Sequence, residues 1–182
     1  VTNAVLTGKV HVGKTTVCRA VADLARQRGY CVRGILTPPI LDERSERLGV
    51  EVLDLDSGER RDLARVDQDL GGPRVGPYSF DATALRWGQD VISRAIAAGC
   101  DLLIVDEIGR LELEQHKGFN HVLHLLATSV VPRSLLVVRA SLLRRFRRRL
   151  PELEFVIFKL TEDNRDTLPR EIAQRLFLTQ CQ

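Results

Sequence analysis

Gly8-Lys-Val-His-Val-Gly-Lys-Thr-Thr16 lies between an apolar run, Ala4-Val5-Leu6, and a helical pattern that begins near Lys14. The string has the form G-x-x-x-x-G-K-[ST], the spacing of a phosphate-binding loop set between a strand and a helix. Gly8 and Gly13 reach backbone conformations closed to other residues, so the loop through Lys9, Val10, His11 and Val12 can turn its N–H groups inward around an anion. The helix that follows aims its free N–H groups and the positive end of its dipole at the same place. Lys14 supplies a mobile charge for the outer phosphates, the Thr15 hydroxyl is placed to hold Mg²⁺, and Thr16 offers a further backbone N–H.

A second stretch, Asp101-Leu-Leu-Ile-Val-Asp106-Glu107, is a short continuous apolar run ending in two acids. Bounded by Gly99 and Gly109, it predicts a strand buried on both faces of a parallel sheet. Asp106 is then expected to emerge at the strand's carboxyl end, where open α/β sheets bind ligands, and to share the metal with Thr15. Glu107 is expected to polarise a water for attack on a terminal phosphate. Thr15 and Asp106 are thus the metal candidates, and Glu107 and Lys14 the catalytic ones.

A chain of 182 residues with 44% hydrophobic content is long enough for one compact core, so a single domain over 1–182 is expected. The net charge of +3 argues for neither nucleic acid nor membrane as the main partner. Cys18, Cys31, Cys100 and Cys181 lack any C-x-x-C spacing, which speaks against a zinc site or a disulfide framework and for a reducing cytoplasm. No apolar stretch approaches the ~20 residues needed to span a bilayer, and the first residues read as a strand and not as a signal sequence.

Val17, Val21, Leu24 and Ala25 recur at helical spacing up to Gly29, and Cys31 to Leu36 returns as a strand, which predicts a parallel crossover. Val50, Val52 and Leu53-Leu55, the turn Asp56-Ser57-Gly58, and Arg61 to Ala64 predict an antiparallel hairpin appended to the sheet. Asp69 to Pro77 reads as a loop and Ala82 to Ala98 as a helix. Further helices are expected around Phe119 to Leu126, over Ser141 to Leu150 and from about Asp166 to Leu178, with strands at Leu135 to Val138 and Phe155 to Phe158. Alternating strands and helices make this a three-layer α/β protein, its sheet mainly parallel.

Asp106-Glu-Ile-Gly-Arg-Leu-Glu-Leu113, Arg74-Val-Gly-Pro-Tyr78 and Leu160-Thr-Glu-Asp-Asn-Arg-Asp-Thr-Leu168 join the phosphate loop and the hairpin in a pattern that covers nearly the whole chain. In this the chain resembles the THEP1-type nucleoside-triphosphatase family, which has a P-loop NTPase fold. The resemblance implies Mg²⁺-dependent hydrolysis of ATP, GTP and other nucleoside triphosphates, with broad base tolerance. It also implies two nucleotide-binding stretches: Gly8 to Thr15, and Leu102, Leu103, Ile104, Val105, Asp106, Glu107, Ile108 and Gly109. Three positions depart from the family pattern: His11 stands at a glycine position of the loop, Thr37-Pro38-Pro39 stands for Thr-Glu-Glu, and Val138-Arg139-Ala140 replaces a small-residue and proline pattern.

Arg74 is a candidate cis arginine for the terminal phosphate, with Arg110 and Arg139 behind it. Asn164 and Arg165 follow the last strand and are candidates to touch base or ribose, Asn164 alternatively as a helix cap. Arg144-Arg-Phe-Arg-Arg-Arg149 reads as the solvated face of a helix before it reads as a nucleic-acid surface, and His116, His121 and His124 as helix-surface residues. The expected activity is a monomeric, Mg²⁺-dependent nucleoside-triphosphatase. A nucleotide or small-molecule kinase, and a nucleotide-gated RNA- or DNA-binding module, remain the alternatives.

Overall fold

The computed structural model describes residues 2–128 and 131–177. Strand β1 (Thr2–Gly8) runs into the phosphate loop, and helix α1 (Lys14–Gln27) starts where Gly13 ends it. Strands β2 (Val32–Leu36), β3 (Pro39–Leu41), β4 (Arg47–Asp54), β5 (Arg60–Arg65), β6 (Arg74–Val75) and β7 (Tyr78–Phe80) precede helix α2 (Ala82–Ala97). The second half alternates β8 (Leu102–Ile108), α3 (Arg110–Leu113), α4 (His121–Thr128), β9 (Arg133–Val138), α5 (Leu143–Arg149), β10 (Phe155–Leu160) and α6 (Leu168–Phe177). The expected helix end at Leu178, like Cys181, lies outside the described residues.

The strands form one sheet in the order β10-β1-β9-β8-β2-β4-β5-β7-β6, with β3 paired to β4. From β10 to β2 every pairing is parallel, and from β4 onward every pairing is antiparallel. Helices α1 and α6 cover one face over Leu6, Ile104 and Leu135, while α2, α4 and α5 cover the other over Val5, Leu103 and Leu136. The alternation of Leu102 to Val105 between these two cores is what a strand buried on both faces requires.

The architecture is the three-layer α/β arrangement that the sequence predicts, with one difference and one feature that the pattern leaves open. First, the antiparallel part is larger than one hairpin. Strand β3 is hidden behind Pro38-Pro39 and a charged stretch, yet Pro39 is tolerated as the first residue of an edge strand, where no ladder N–H is needed. The Asp42 carboxylate then closes the β3–β4 turn by accepting the N–H groups of Arg44 (2.8 Å) and Glu46 (2.7 Å). Strands β6 and β7, within and just after the expected 69–77 loop, are too short to carry a readable alternation. Second, the crossover from β1 through α1 to β2 joins strands that are not neighbours, because β9 and β8 lie between them. This inserts the carboxyl end of β9 between the phosphate loop and the acidic end of β8.

Gly34 in β2 illustrates how closely the strands beside the site are fitted. Its φ is +115°, and a Cβ there would stand 2.0 Å from the Ile104 carbonyl oxygen. Gly34→Ala is therefore expected to cost about 3 kcal/mol by combining an unfavourable backbone region with a backbone clash. Urea unfolding checks this, and an unchanged midpoint would contradict it.

Candidate active site

The loop after β1 is built as an anion cradle with the lysine already turned into it. Gly13 is left-handed (φ +101°) and its carbonyl accepts the Val17 N–H at 3.0 Å, so the helix begins directly behind the loop. Lys14 Nζ donates to the Lys9 carbonyl at 2.7 Å and lies 3.4 Å from that of Gly8. Burial holds its pKa below the usual lysine value, against the pull of Glu107 and Asp106. His11 also has a positive φ of 63°, so the side chain at this family glycine position occupies backbone space that histidine tolerates better than bulky or β-branched residues.

Across the cavity stands Asp106, 2% exposed. Its carboxylate accepts the Thr37 N–H at 3.0 Å and a hydrogen bond from the Thr15 side chain, while Thr37 Oγ1 donates to the Asp106 carbonyl at 3.3 Å. Burial pushes its pKa up, and these hydrogen bonds oppose the shift. Thr37 was not among the expected site residues. Its contribution comes from the end of β2 lying beside β8, which the pattern of residues does not reveal.

Asp106 and Glu107 are not at the free end of the strand, since β8 continues to Ile108. The register with β9 shifts between Val105, opposite Leu136, and Ile108, opposite Val138. Two residues therefore face one, which is a β-bulge. Its effect is visible in the packing: strict alternation would put Ile108 on the opposite face from Val105, yet both join the same core. Glu107 absorbs the extra residue with φ +82°. As a result two consecutive acids, which a regular strand would point to opposite faces, both border the cavity beside Lys14.

Glu107 meets Arg139 at the end of β9. The guanidinium donates through Nε (2.8 Å) and Nη2 (2.5 Å), both to Oε1. Because β9 lies between β1 and β8, Arg139 sits between the phosphate loop and the acid pair, a position that only the strand order discloses.

The phosphate-side cavity, about 310 Å³, is bordered by Val10, His11, Gly13, Lys14, Thr15, Thr16, Asp106, Glu107 and Arg139, closed on one side by Pro39, Leu41 and Arg47. The remaining candidates do not line it. Gly8 fits against the Leu160 carbonyl, Lys9 reaches the site through its own carbonyl, and Val12 packs on the α1–α6 core. Leu102, Leu103, Ile104 and Val105 are fully buried, and Ile108 joins the α2-side core. Gly109 borders a second cavity of about 230 Å³ that adjoins the first through His11, Arg47, Glu107 and Arg139.

Arg74 does not join the site, because Asp69 holds its guanidinium at 2.5 Å on an exposed surface. Asn164 does not cap α6 with its side chain: Oδ1 accepts the Thr161 N–H (2.8 Å) and Nδ2 donates to the Lys159 carbonyl (3.0 Å), folding the turn after β10. That turn carries Arg165, whose Cδ lies 3.7 Å from where a Cβ of Gly13 would stand. On α5, Arg145 pairs with Glu114 at 2.7 Å and Arg149 bonds to His116 (2.7 Å) and Asn120 (3.2 Å), while Phe146 is fully buried. His121 bonds to the Gln89 carbonyl at 3.1 Å. Among the described residues no three or more His, Cys, Asp or Glu gather to hold a metal, and no helix is long and apolar enough to cross a membrane.

Glu112, within the motif that opens at Asp106, anchors the far end of the acidic strand. Its carboxylate accepts the N–H of Gly109 at 2.8 Å and of Phe119 at 3.1 Å, and burial raises its pKa to about 7. With a folded value above the ordinary 4.5, the folded state binds the extra proton between those values. The associated stability is present below pH 4.5 and lost as pH rises through about 7. Between pH 5 and pH 8 the wild type is expected to lose about 2–3 kcal/mol more than Glu112→Gln. Denaturant melts of both proteins at the two pH values check this, and parallel profiles would contradict it.

The family described as "NTPase" matches residues 3–173 of the chain. The chain is 36% identical over 177 residues to a protein of Methanopyrus kandleri named nucleoside-triphosphatase THEP1, covering 96% of this chain and 94% of that one. It is 37% identical to the protein of the same name from Pyrobaculum aerophilum, with 96% and 93% covered. Its fold matches the solution structure of a human cancer-related nucleoside triphosphatase with a TM-score of 0.77 at 25% identity, all of both chains being covered. It also matches the crystal structure of THEP1 from Aquifex aeolicus, with a TM-score of 0.74 at 22% identity over 96% of this chain and 99% of that one.

Proposed function

The chain belongs to the THEP1 nucleoside-triphosphatase family, and on that premise we propose that it hydrolyses nucleoside 5′-triphosphates to diphosphate and phosphate, with Mg²⁺ and with broad base tolerance. The observation that carries this reading is the bulge that sets Glu107 beside Asp106 in the cavity holding Lys14 and Thr15. In this reading the loop N–H groups and Lys14 hold the β- and γ-phosphates, and Glu107 orients a water and takes its proton. The water oxygen bonds to the γ-phosphorus as the bond to the β–γ bridging oxygen breaks, and the diphosphate leaves with that electron pair. Positioning and charge compensation carry most of the rate.

The Thr15 hydroxyl and Asp106 carboxylate, already hydrogen-bonded to each other, fit Mg²⁺: both are hard oxygen donors, and this ion takes one or two protein oxygens and completes its shell with phosphate and water. When bound it would neutralise charge on the phosphate oxygens. Base tolerance is supported by Asn164, whose side-chain amide is spent on the turn after β10 and so is not offered to base edges. We take the chain to act as a single domain, as a monomer and in the cytoplasm.

The test is phosphate release from ATP, GTP, CTP and UTP with no acceptor, in Mg²⁺ and in EDTA. All four are expected to turn over within about tenfold of one another, as a site without base-reading hydrogen bonds should, and EDTA is expected to abolish release. Tight binding with no release would overturn the reading.

A further inference from the structure

Hydrolysis uses the phosphate-side cavity and leaves the one beside it unexplained. That second cavity, about 230 Å³, is a mostly apolar chamber whose lining includes Tyr78, Phe80, Leu63, Val75 and the buried Phe119, with the carboxylate residues Glu107 and Glu112 among its polar members. It is not where the triphosphate's own nucleoside belongs. Arg165, the candidate to touch base or ribose, approaches the loop at Gly13, whereas the second cavity opens at His11 and Glu107, where the terminal phosphate lies in the reading above. A site that only activates water has no need of an aromatic chamber on the attacking side.

We infer that this cavity is a phosphoryl-acceptor subsite for a pyrimidine nucleoside, its ring beside Tyr78 and Phe80 and its hydroxyl at Glu107. The inference rests on the reading of the phosphate cavity given above. The volume lies below the ~300–1,000 Å³ of pockets for drug-sized ligands, which suits one small ring with its sugar reaching into the shared neck. Arg47 and Arg110 border the chamber, and neither is ion-paired among the described residues. Both are donors only, which matches the carbonyl-rich edge of a pyrimidine. Arg139 engages Oε1 of Glu107 alone, so the other carboxylate oxygen is available to a proton. In the transfer, the nucleoside hydroxyl gives its proton to Glu107 and its oxygen bonds to the γ-phosphorus. The bond to the β–γ bridging oxygen breaks, and the nucleoside diphosphate leaves with that electron pair. Hydrolysis is the same step with water in the acceptor's place.

The experiment incubates the protein with Mg²⁺ and ATP labelled in its terminal phosphate, alone and with uridine, cytidine or thymidine, and measures labelled phosphate and labelled nucleoside monophosphate in the same samples. At least one nucleoside is expected to accept the label about tenfold faster than water does, since a positioned hydroxyl outcompetes bulk solvent. Val75→Trp, filling the chamber from the edge strand, is expected to abolish transfer and leave phosphate release unchanged. Tyr78→Ala is expected to raise the KM for the nucleoside and not that for ATP. Phosphate release without labelled nucleoside monophosphate would overturn the inference and leave the hydrolase reading standing. So would nucleosides that compete with ATP, or a folded Val75→Trp that still transfers. Absence of both release and transfer would overturn the two together.

Discussion

Glu107→Gln is expected to lower triphosphate turnover by roughly 10²–10⁴-fold, the range for loss of a positioned general base, while nucleotide affinity changes only a few-fold. The substitution keeps the shape of the side chain. It also keeps an acceptor oxygen for Arg139, which now reaches Oε1 through two donors. The left-handed backbone at Glu107 depends on the bulge and not on the carboxylate charge, so the strand end should be unaltered. What disappears is the ability to take a proton at that point. Single-turnover phosphate release beside equilibrium nucleotide binding separates the two quantities, and a variant within about tenfold of wild type would fall below that range and remove Glu107 from the mechanism.

Arg139 decides how that loss should be read. Arg139 is ion-paired with Glu107, and both side chains border the cavity where a terminal phosphate would compete for the guanidinium. If Arg139 works through Glu107, holding it in place, Arg139→Ala should add little to Glu107→Gln. If it bears on phosphate charge independently, the two losses should multiply. The end of β9 lies between the two motifs, so Arg139 pairs with Glu107 and borders the same cavity as the phosphate loop.

The order of legibility follows the range of the interactions. The phosphate loop, the buried strand and most helices could be read from the chain because glycine spacing and apolar periodicity are local properties. The antiparallel extension was read only in part. Strand β3 hides behind two prolines, and β6 and β7 are too short for a period of two. Within the acidic motif the residue types were legible and their presentation was not. Side-chain alternation sends Asp106 and Glu107 to opposite faces, and only the register against β9 reveals the bulge that reunites them. Thr37 and Arg139 belong to strand ends brought together by sheet order. Arg74, in a Gly-rich loop, is held by Asp69 five residues away, a local competitor for its guanidinium. The role of Glu112 lies in its two backbone partners, at Gly109 and Phe119, the second seven residues away and outside any local pattern.

Lys14→Ala is expected to reduce kcat/KM for triphosphates by about 10²–10³-fold, comparable to removing one preorganised donor from a transition-state site. The structure also says where that loss should come from. Lys14 Nζ rests on the carbonyls of Gly8 and Lys9, which are weak partners for a charge held half out of water. An incoming terminal phosphate is a stronger one, so the ammonium is expected to exchange carbonyls for phosphate oxygens with little reordering of the loop. Two consequences distinguish this from a general collapse of the site. Diphosphate affinity should fall less than triphosphate affinity, because the missing contact is made to the outer phosphates. Stability should change by less than about 1 kcal/mol, since the closer partner, the Lys9 carbonyl, belongs to an exposed residue that water can reach. Isothermal titration with both nucleotides and a urea melt test these points together. Equal losses for diphosphate and triphosphate, or a large drop in stability, would mean that Lys14 serves the loop's structure and not the phosphate.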